Sequence, residues 1–328
     1  MTERSTGRMG ATNRYPASRF GDAGLGTLYA RPFWRMKIGI DSYCYHRQFG
    51  EVYPQQQAPQ CAMTLEDFLD RAQQLQVDGV SLESCFIPRK DDAGYLRSVR
   101  DRLDEYEFDR VYAWGHPDGL EGGSNTAEYD QMIRSLAHAE QLGASVMRIV
   151  GSSFTFRFED HQQQIDRLVK MLRKAVKVAA DYDIKLAIEN HIDFNGVEIL
   201  RLLEEVDSPY LGLNFDTGNF ARLLDDPVKA MEKLARYTLA THIKDLKINP
   251  QASVDDWYFF STTPVGDGFI DNGRLATLLE RADYQGFLAV ELDFLHPDYH
   301  ADEDAAVVRS VEMLRQIAEQ VERPASSV

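Results

Sequence analysis

The chain has 328 residues and a net charge of −16, with 36 basic and 52 acidic residues. This acidic balance argues against a broad phosphate-binding surface, so a nucleic-acid partner is not expected. No apolar run approaches the roughly 18 residues of a membrane-spanning helix, so a membrane partner is not expected either. The three cysteines lack a CxxC spacing, which indicates reduced thiols in the cytoplasm rather than a disulfide framework.

Residues 1–35 differ in composition from the rest of the chain. They contain six arginines and two acidic residues, show no apolar periodicity, and lack the apolar core of a secretory signal. We interpret them as a disordered extension, or as the product of a start codon assigned too early, with Met36 as the true start. The Arg-rich composition also has a weak likeness to a transit peptide, which is the alternative. Residues 323–328 are interpreted as a short tail.

From residue 36 to residue 322, buried-type strands alternate with amphipathic helices. The predicted strands are 37–41, 79–84, 110–115, 145–151, 185–190, 211–216, 239–245 and 287–293. The predicted helices are 64–76, 91–106, 126–142, 159–181, 196–206, 227–237, 271–283 and 302–321. Each unit is about 36 residues long, which predicts a single-domain (β/α)₈ TIM barrel. A doubly wound sheet is the alternative, but the first turn has no GxGxxG motif.

Two connections are long for a barrel, at 42–63 and 246–270. Both follow the carboxyl end of a strand, where barrel active sites are built. Both contain aromatic residues, which are Tyr43, Tyr45, Phe49, Tyr53, Trp257, Tyr258, Phe259 and Phe260. We expect these loops to be lids or pocket walls. Their aromatic rings would either stack on sugar rings or form a subunit contact.

Four polar residues end the last four predicted strands, and they are Glu189, Asp216, His242 and Glu291. Adjacent strands of a closed barrel end side by side, so these side chains are expected to converge. Three carboxylates and an imidazole predict a site for Mn²⁺, Mg²⁺, Co²⁺ or Zn²⁺, and without a cation the carboxylates would repel one another. The alternative is that each residue is an ordinary helix cap or ion-pair partner.

A divalent metal at this position would act as a Lewis acid and stabilise an enediolate formed from a sugar carbonyl. Glu189 and Glu291 would face the substrate from opposite sides, so that one removes a proton and the other returns it. His191 is a further candidate base, or else a packing residue behind the site. Lys244 would hold a developing oxyanion or a phosphate, or else form a structural salt bridge.

Further polar or aromatic residues near strand ends are candidates for substrate binding. They are Tyr45, His46, Glu83, Trp114, His116, Asn190 and Asn219. The segment Gly266–Asp267–Gly268 is most simply a turn before a helix capped by Asp271.

From about Met36 to Val321, the chain resembles the sugar phosphate isomerase/epimerase family of xylose isomerase-like barrels. The matching motifs are AIENH, NFDTGN, THIKD, PVGDGFID and AVELD, in this order. The resemblance implies a divalent metal, for which Mn²⁺ is the preferred candidate, bound by Glu189, Asp216, His242 and Glu291. It also implies that Glu189 and Glu291 are the proton-transferring pair of an epimerase.

One position departs from the family pattern, because Asn219 stands where many of its epimerases and dehydratases carry histidine. The opening GIDSYCYHR, with IENHID and DTGN, is similar to the metal-binding α subunits of C-glycoside deglycosidases. That resemblance implies action on 3-oxo-glycosides, an imidazole base at His191, and an oligomer with a small β subunit.

The leading hypothesis is therefore a metal-dependent lyase that enolises a keto-sugar or 3-oxo-glycoside and proceeds to β-elimination. A sugar isomerase or epimerase acting on a ketose is the alternative, because the same enediolate serves both. A DNA-repair endonuclease on the same barrel would need additional histidine ligands and a less acidic surface. A non-catalytic sugar-binding barrel would not need four converging ligands.

Overall fold

The structure is a computed structural model that describes residues 36–115 and 117–322. The interpretations of residues 1–35 and 323–328, and the proposed role of His116, fall outside the described residues. The strands are β1 Lys37–Asp41, β2 Gly79–Glu83, β3 Asp109–Ala113, β4 Val146–Val150, β5 Lys185–Glu189, β6 Leu211–Asp216, β7 Thr238–Ile243, β8 Asp245–Ile248, β9 Phe260–Thr263 and β10 Phe287–Val290. The helices are α1 Leu65–Gln74, α2 Ala93–Glu105, α3 Thr126–Leu142, α4 His161–Asp181, α5 Gly196–Val206, α6 Thr217–Arg222, α7 Pro227–Leu234, α8 Asn272–Arg281 and α9 Glu303–Glu322.

Eight strands close into one parallel barrel in the order β1, β2, β3, β4, β5, β6, β7 and β10. Strand β10 pairs with both β7 and β1, which closes the ring. This topology confirms the predicted (β/α)₈ barrel and excludes the doubly wound sheet. The parallel order also brings the carboxyl ends of all eight strands to one face, where the sequence motifs are expected to meet.

The predicted helix signals are confirmed at two termini. Thr64 caps α1 in a capping box. Its side chain accepts a hydrogen bond from the backbone N–H of Asp67, and the Asp67 side chain accepts one from the backbone N–H of Thr64. Gly143 ends α3 with a left-handed φ of 72°, a conformation that glycine adopts without steric cost.

The structure corrects the two connections that follow β6 and β7. A short helix, α6, begins directly after Asp216, whose carboxylate accepts hydrogen bonds from the backbone N–H groups of Gly218 and Asn219. The predicted loop 246–270 contains most of an antiparallel hairpin, in which β8 pairs with β9. Among the described residues, no helix is both long and apolar enough to cross a membrane.

Near the amino ends of the strands, the interior of the barrel contains the aromatic ring of Phe287 among smaller side chains. Phe287 packs in a cluster with Val111, Ala187, Ala240 and Ala289. A Cβ added at Gly39 would lie 2.2 Å from the Phe287 ring and 2.6 Å from the carbonyl oxygen of Gly79. The absence of a side chain at Gly39 therefore makes room for the ring.

We expect Gly39→Ala to lower the free energy of unfolding by about 1–3 kcal/mol. The added methyl group would displace either the backbone of β2 at Gly79 or the buried ring of Phe287. Gly273→Ala is the matched control, because its added Cβ would lie 3.6 Å from the carboxylate of Asp271, which is an ordinary van der Waals distance. Urea unfolding followed by circular dichroism measures both variants. An unchanged midpoint for Gly39→Ala would contradict this description of the core.

Candidate metal centre

The four residues predicted as metal ligands come together at the carboxyl end of the barrel. Glu189 and Asp216 are the last residues of β5 and β6, His242 lies near the end of β7, and Glu291 follows β10. Asp216 and His242 are direct register partners on neighbouring strands. One ligand atom from each of the four lies within 4.8 Å of the others, and all four residues are buried. This group can hold a divalent metal.

Buried atoms without hydrogen bonds show that the donor set fits a cation. Within the described ranges, Glu189 Oε2, Asp216 Oδ2, His242 Nδ1 and Glu291 Oε2 make no hydrogen bond of good geometry, although Lys244 Nζ lies 2.7 Å from Asp216 Oδ2. His242 Nδ1 lies 2.7 Å from Glu291 Oε2 and 3.4 Å from Glu189 Oε1, which is an ion pair when the imidazole is charged. Burying polar atoms without partners is costly, and a cation bound by oxygen and nitrogen would satisfy all four.

The surrounding charges perturb the pKa values of these residues. Burial alone would lower the pKa of His242, but Glu291 and Glu189 reverse this effect and raise it well above its usual value. Burial would raise the pKa of Glu291, but His242 and Lys244 instead lower it to about 2. Burial raises the pKa of Asp216 to about 7, although Lys244 opposes the shift. Without a metal, the neighbouring carboxylates therefore favour the charged form of His242, in which both ring nitrogens carry a proton.

We expect the affinity for Mn²⁺ to fall with decreasing pH, because metal binding at Nδ1 must displace the proton of His242. Loss of one proton corresponds to about tenfold in affinity per pH unit. Below pH 7 the dependence should steepen, because the carboxylate of Asp216 also takes up a proton there. Calorimetric titrations from pH 6 to pH 8.5 in two buffers measure the affinity and the proton release. A pH-independent affinity would contradict the assignment of His242.

Asp41 is a site residue that the sequence analysis missed. It is fully buried at the end of β1, and its Oδ2 atom lies 3.4 Å from His242 Nε2. A carboxylate behind a metal-binding histidine fixes which ring nitrogen carries the hydrogen. The position of Asp41 at a strand end in GIDSYCYHR was the available signal.

We expect Asp41→Asn to weaken Mn²⁺ binding by about 10- to 100-fold, as is typical when the partner of a metal-binding histidine is removed. The asparagine oxygen can keep the hydrogen bond that Asp41 Oδ1 accepts from the Tyr43 N–H, so the local fold should persist. Asp109→Asn is the control, since Asp109 forms a half-exposed ion pair with Lys37. Equal Mn²⁺ affinity in Asp41→Asn and wild type would contradict this role.

Lys244 lies among three carboxylates beside the metal cluster. Its Nζ atom is 2.7 Å from Asp216 Oδ2, 2.9 Å from Asp293 Oδ2 and 3.2 Å from Glu291 Oε2. Burial would lower the pKa of Lys244, but Asp216 and Asp293 reverse this and raise it well above its usual value. Lys244 is therefore both a buried ion-pair partner and a fixed positive charge at the site.

Two buried arginines complete the charged network, and the sequence analysis missed both. Arg148 is on β4, and its guanidinium bonds the Glu83 carboxylate and lies 3.2 Å from Glu189 Oε2. Arg222, at the end of α6, binds both carboxylate oxygens of Asp293, at 2.5 and 2.8 Å. Arg148 was detectable as a charged residue inside an apolar strand. The pairing of Arg222 with Asp293 spans 71 residues and has no local sequence signal.

A cavity of about 200 Å³ opens directly above the candidate metal centre. Six of the predicted site residues line it, namely Glu83, Glu189, His191, Asn219, Lys244 and Glu291. The amide nitrogen of Asn219 lies 3.3 Å from Glu189 Oε1 and orients that carboxylate. Aromatic rings from both long connections also form part of the wall, including Tyr43, Tyr53 and Trp257. The predicted role of these loops as pocket walls agrees with this arrangement.

Four of the described residues that were predicted to bind substrate do not line this cavity. The Tyr45 hydroxyl donates a hydrogen bond to Asp304, because the 3₁₀ turn after β1 directs the ring toward α1 and α9. His46 Nδ1 lies 2.7 Å from the carbonyl oxygen of Glu51, within its own loop.

Trp114 is buried, and its carbonyl oxygen accepts a hydrogen bond from Arg148. The Asn190 side chain bonds the backbone N–H and carbonyl of Asp216, so it holds a ligand strand in place. All four residues therefore lie outside the wall of this cavity, and their contact with substrate remains a prediction.

A larger cavity of about 800 Å³ lies at the opposite end of the barrel. Its wall includes Ser81 and Asn214, whose buried side chains have no hydrogen-bond partner within the described part of the chain. It contains none of the residues predicted for chemistry. Active sites of such barrels lie at the carboxyl ends of the strands, so the smaller cavity is the candidate active site.

The closed barrel and the buried cluster of three carboxylates and one imidazole define a (β/α)₈ protein with a candidate metal centre. The sequence model of a family described as "Xylose isomerase-like TIM barrel" matches residues 69–323. The chain belongs to this family.

Two curated relatives are each matched by this chain over about half of their own length. 3-oxo-isoapionate decarboxylase of Pectobacterium atrosepticum is 27% identical over 158 residues, which cover 48% of this chain and 54% of that protein. Inosose dehydratase of Mesomycoplasma hyopneumoniae is 31% identical over 144 residues, which cover 40% and 48%. The solved structure of the IOLI protein with a bound zinc atom superposes with a TM-score of 0.68 at 14% identity. It covers 87% of this chain and 99% of that one, and at this identity the likeness shows the fold alone.

Proposed function

We propose that this protein is a divalent-metal-dependent enzyme that removes a proton next to the carbonyl of a keto-sugar or 3-oxo-glycoside and proceeds to β-elimination. The observation that carries the proposal is the cluster of Glu189, Asp216, His242 and Glu291 at the floor of an aromatic-lined cavity. Bound there, a divalent cation supplies a Lewis acid that stabilises negative charge on a carbonyl oxygen.

Lys244 supplies a second positive charge beside the reacting oxygen. Its ammonium group is buried and fixed between Asp216 and Asp293, so it needs no reorganisation as charge develops on the substrate. We therefore assign Lys244 to stabilising the developing oxyanion through its fixed charge, while its ammonium group stays paired with the protein's own carboxylates.

His191 is the base that the cavity supports best. It lies on the cavity wall, two residues after Glu189. Arg148 and His242 outweigh the effect of burial and hold the pKa of Glu189 well below its usual value, which makes this carboxylate a weak base. An imidazole accepts protons near neutral pH, so His191 is assigned to proton abstraction.

Elimination is favoured over epimerisation by the residue at position 219. The amide of Asn219 cannot take a proton, and it instead hydrogen-bonds Glu189. The names of two curated relatives, a decarboxylase and a dehydratase, describe the loss of a small molecule from their substrates. Loss of water follows once an enolised substrate carries a hydroxyl group at the neighbouring carbon, whereas loss of carbon dioxide from a 3-oxo acid itself generates the enolate.

A sugar isomerase or epimerase is the second candidate, because Glu189 and Glu291 both line the cavity from separate strands. This arrangement suits transfer of a proton from one carboxylate and return by the other. The same enolised substrate serves both functions, so the product distinguishes them.

We further propose Mn²⁺ as the metal, since it accepts a ligand set rich in carboxylates. An oligomer, with a small β subunit, is the proposed assembly in the cytoplasm. Apolar side chains in the loops at the carboxyl face support a protein contact, since Phe158, Leu224 and Val254 are 86%, 85% and 75% exposed.

Incubation with a panel of keto-sugars and 3-oxo-glycosides in D₂O with Mn²⁺ tests the proposed reaction. We expect deuterium next to the carbonyl of the accepted substrate, detected by mass spectrometry, together with an elimination product. Recovery of an isomer alone would favour the second candidate. No exchange with any compound would overturn the proposed chemistry.

A further inference from the structure

The cations on the cavity wall are already neutralised by the protein's own carboxylates. Among the described residues, the basic side chains that line the cavity are Arg148, Arg222 and Lys244, besides the imidazole of His191. Arg148 and Lys244 are 4% and 2% exposed. The side chain of Arg222 is 2% exposed and forms an ion pair with Asp293. A substrate entering the cavity therefore meets cations that are already engaged.

Arg222 has no N–H group left for a substrate. Its guanidinium carries five N–H donors. They bind the two oxygens of Asp293, the side-chain oxygen of Asn219, and the carbonyl oxygen of Phe260 twice. The fork that commonly grips a phosphate or carboxylate is occupied by Asp293.

Lys244 and Arg148 are also paired with carboxylates, although Arg148 Nε makes no hydrogen bond within the described residues. The Lys244 ammonium nitrogen lies 2.7 Å from Asp216, 2.9 Å from Asp293 and 3.2 Å from Glu291. Arg148 bonds Glu83 and the Trp114 carbonyl, and it lies beside Glu189.

Carboxylates outnumber cations even when the metal is counted. Seven carboxylates line or underlie the cavity, namely Asp41, Glu83, Asp118, Glu189, Asp216, Glu291 and Asp293. Against them stand three basic side chains and the two charges of a divalent cation. By formal charge, the protein groups and the metal together therefore leave no surplus of positive charge to hold an anion.

We propose that the substrate is uncharged, a neutral keto-sugar or glycoside, and that the paired cavity wall rejects sugar phosphates. An anion would lose its hydration, which is costly, without gaining an unpaired cation. Neutral hydroxyl groups need only the dipoles and aromatic faces that the wall provides. This inference rests on the proposed function, since it concerns the substrate of the same site.

Binding to the Mn²⁺-loaded protein tests the inference without requiring turnover. Calorimetry compares matched pairs, such as D-fructose with D-fructose 6-phosphate and D-xylulose with D-xylulose 5-phosphate. We expect the uncharged member of a pair to bind at least about tenfold more tightly. Equal or tighter binding of the phosphate ester would overturn the inference, and so would the absence of saturable binding by every uncharged ketose.

Two variants separate the release of a cation from a general change in charge. Glu83→Gln removes the carboxylate that pairs with Arg148, so binding of the phosphate ester should tighten at least about tenfold. Asp118→Asn removes one charge from the same wall, where Asp118 accepts a hydrogen bond from Ser153, but it frees none of the three cations. Equal effects of the two variants would overturn the role assigned to ion pairing. Deuterium exchange is scored separately, so a failure of the proposed reaction is distinguishable from a wrong substrate charge.

Discussion

Replacing Glu291 by glutamine is expected to lower turnover by at least about 10³-fold while leaving the fold intact. The neutral amide is a weaker ligand, and it removes one of the three carboxylates that balance the cation. It also removes the charge facing His242 Nδ1 at 2.7 Å and Lys244 Nζ at 3.2 Å. Steady-state rates on the substrate found by deuterium exchange measure the effect, and circular dichroism checks the fold.

Glu319→Gln is the matched control, because it makes the same chemical change at an exposed position on α9. This variant should keep the wild-type rate. If Glu291→Gln retained a rate within tenfold of wild type at unchanged metal content, Glu291 would not belong to the reacting site.

Removal of the metal is the second change with a large expected effect. Treatment with a chelator should abolish turnover, and added Mn²⁺ should restore it. Without a cation, the buried carboxylates of Glu189, Asp216 and Glu291 rely on His242 and Lys244 for charge balance. Metal at 1,000 times its Kd should add about 4 kcal/mol to the free energy of unfolding, which is measurable as a rise in Tm.

The rise in Tm provides a readout that does not depend on knowing the substrate. Asp216→Asn serves as the control, because Mn²⁺ should raise its Tm far less than that of the wild-type protein. Full activity after verified metal removal, or an equal rise in Tm in both proteins, would argue against the assigned metal centre.

The barrel and the four converging residues were predictable because their signals are local. Each apolar run that ends on a carboxylate or imidazole marks the carboxyl end of a buried strand, and parallel order places those ends together. Glu189 and Asp216 therefore needed no contact information beyond their own strands. Helix α6 was harder to predict, because Asp216 is at once the end of β6 and the cap of the next helix.

The residues that support the metal cluster depend on contacts between distant parts of the chain. Asp41 meets His242, and Arg148 meets Glu83, only after the barrel has closed. The direction of the Tyr45 side chain could not be predicted, because the 3₁₀ turn after β1 places its hydroxyl against Asp304. Spacing along the sequence does not specify such rotations or pairings, because tertiary packing decides them.

The most direct test of the metal centre is the crystal structure of the Mn²⁺-loaded protein, with anomalous diffraction measured at the manganese edge. We predict one strong anomalous peak per chain, in contact with Glu189, Asp216, His242 and Glu291. A peak bound by other residues, or no peak within this cluster at saturating Mn²⁺, would contradict the central claim.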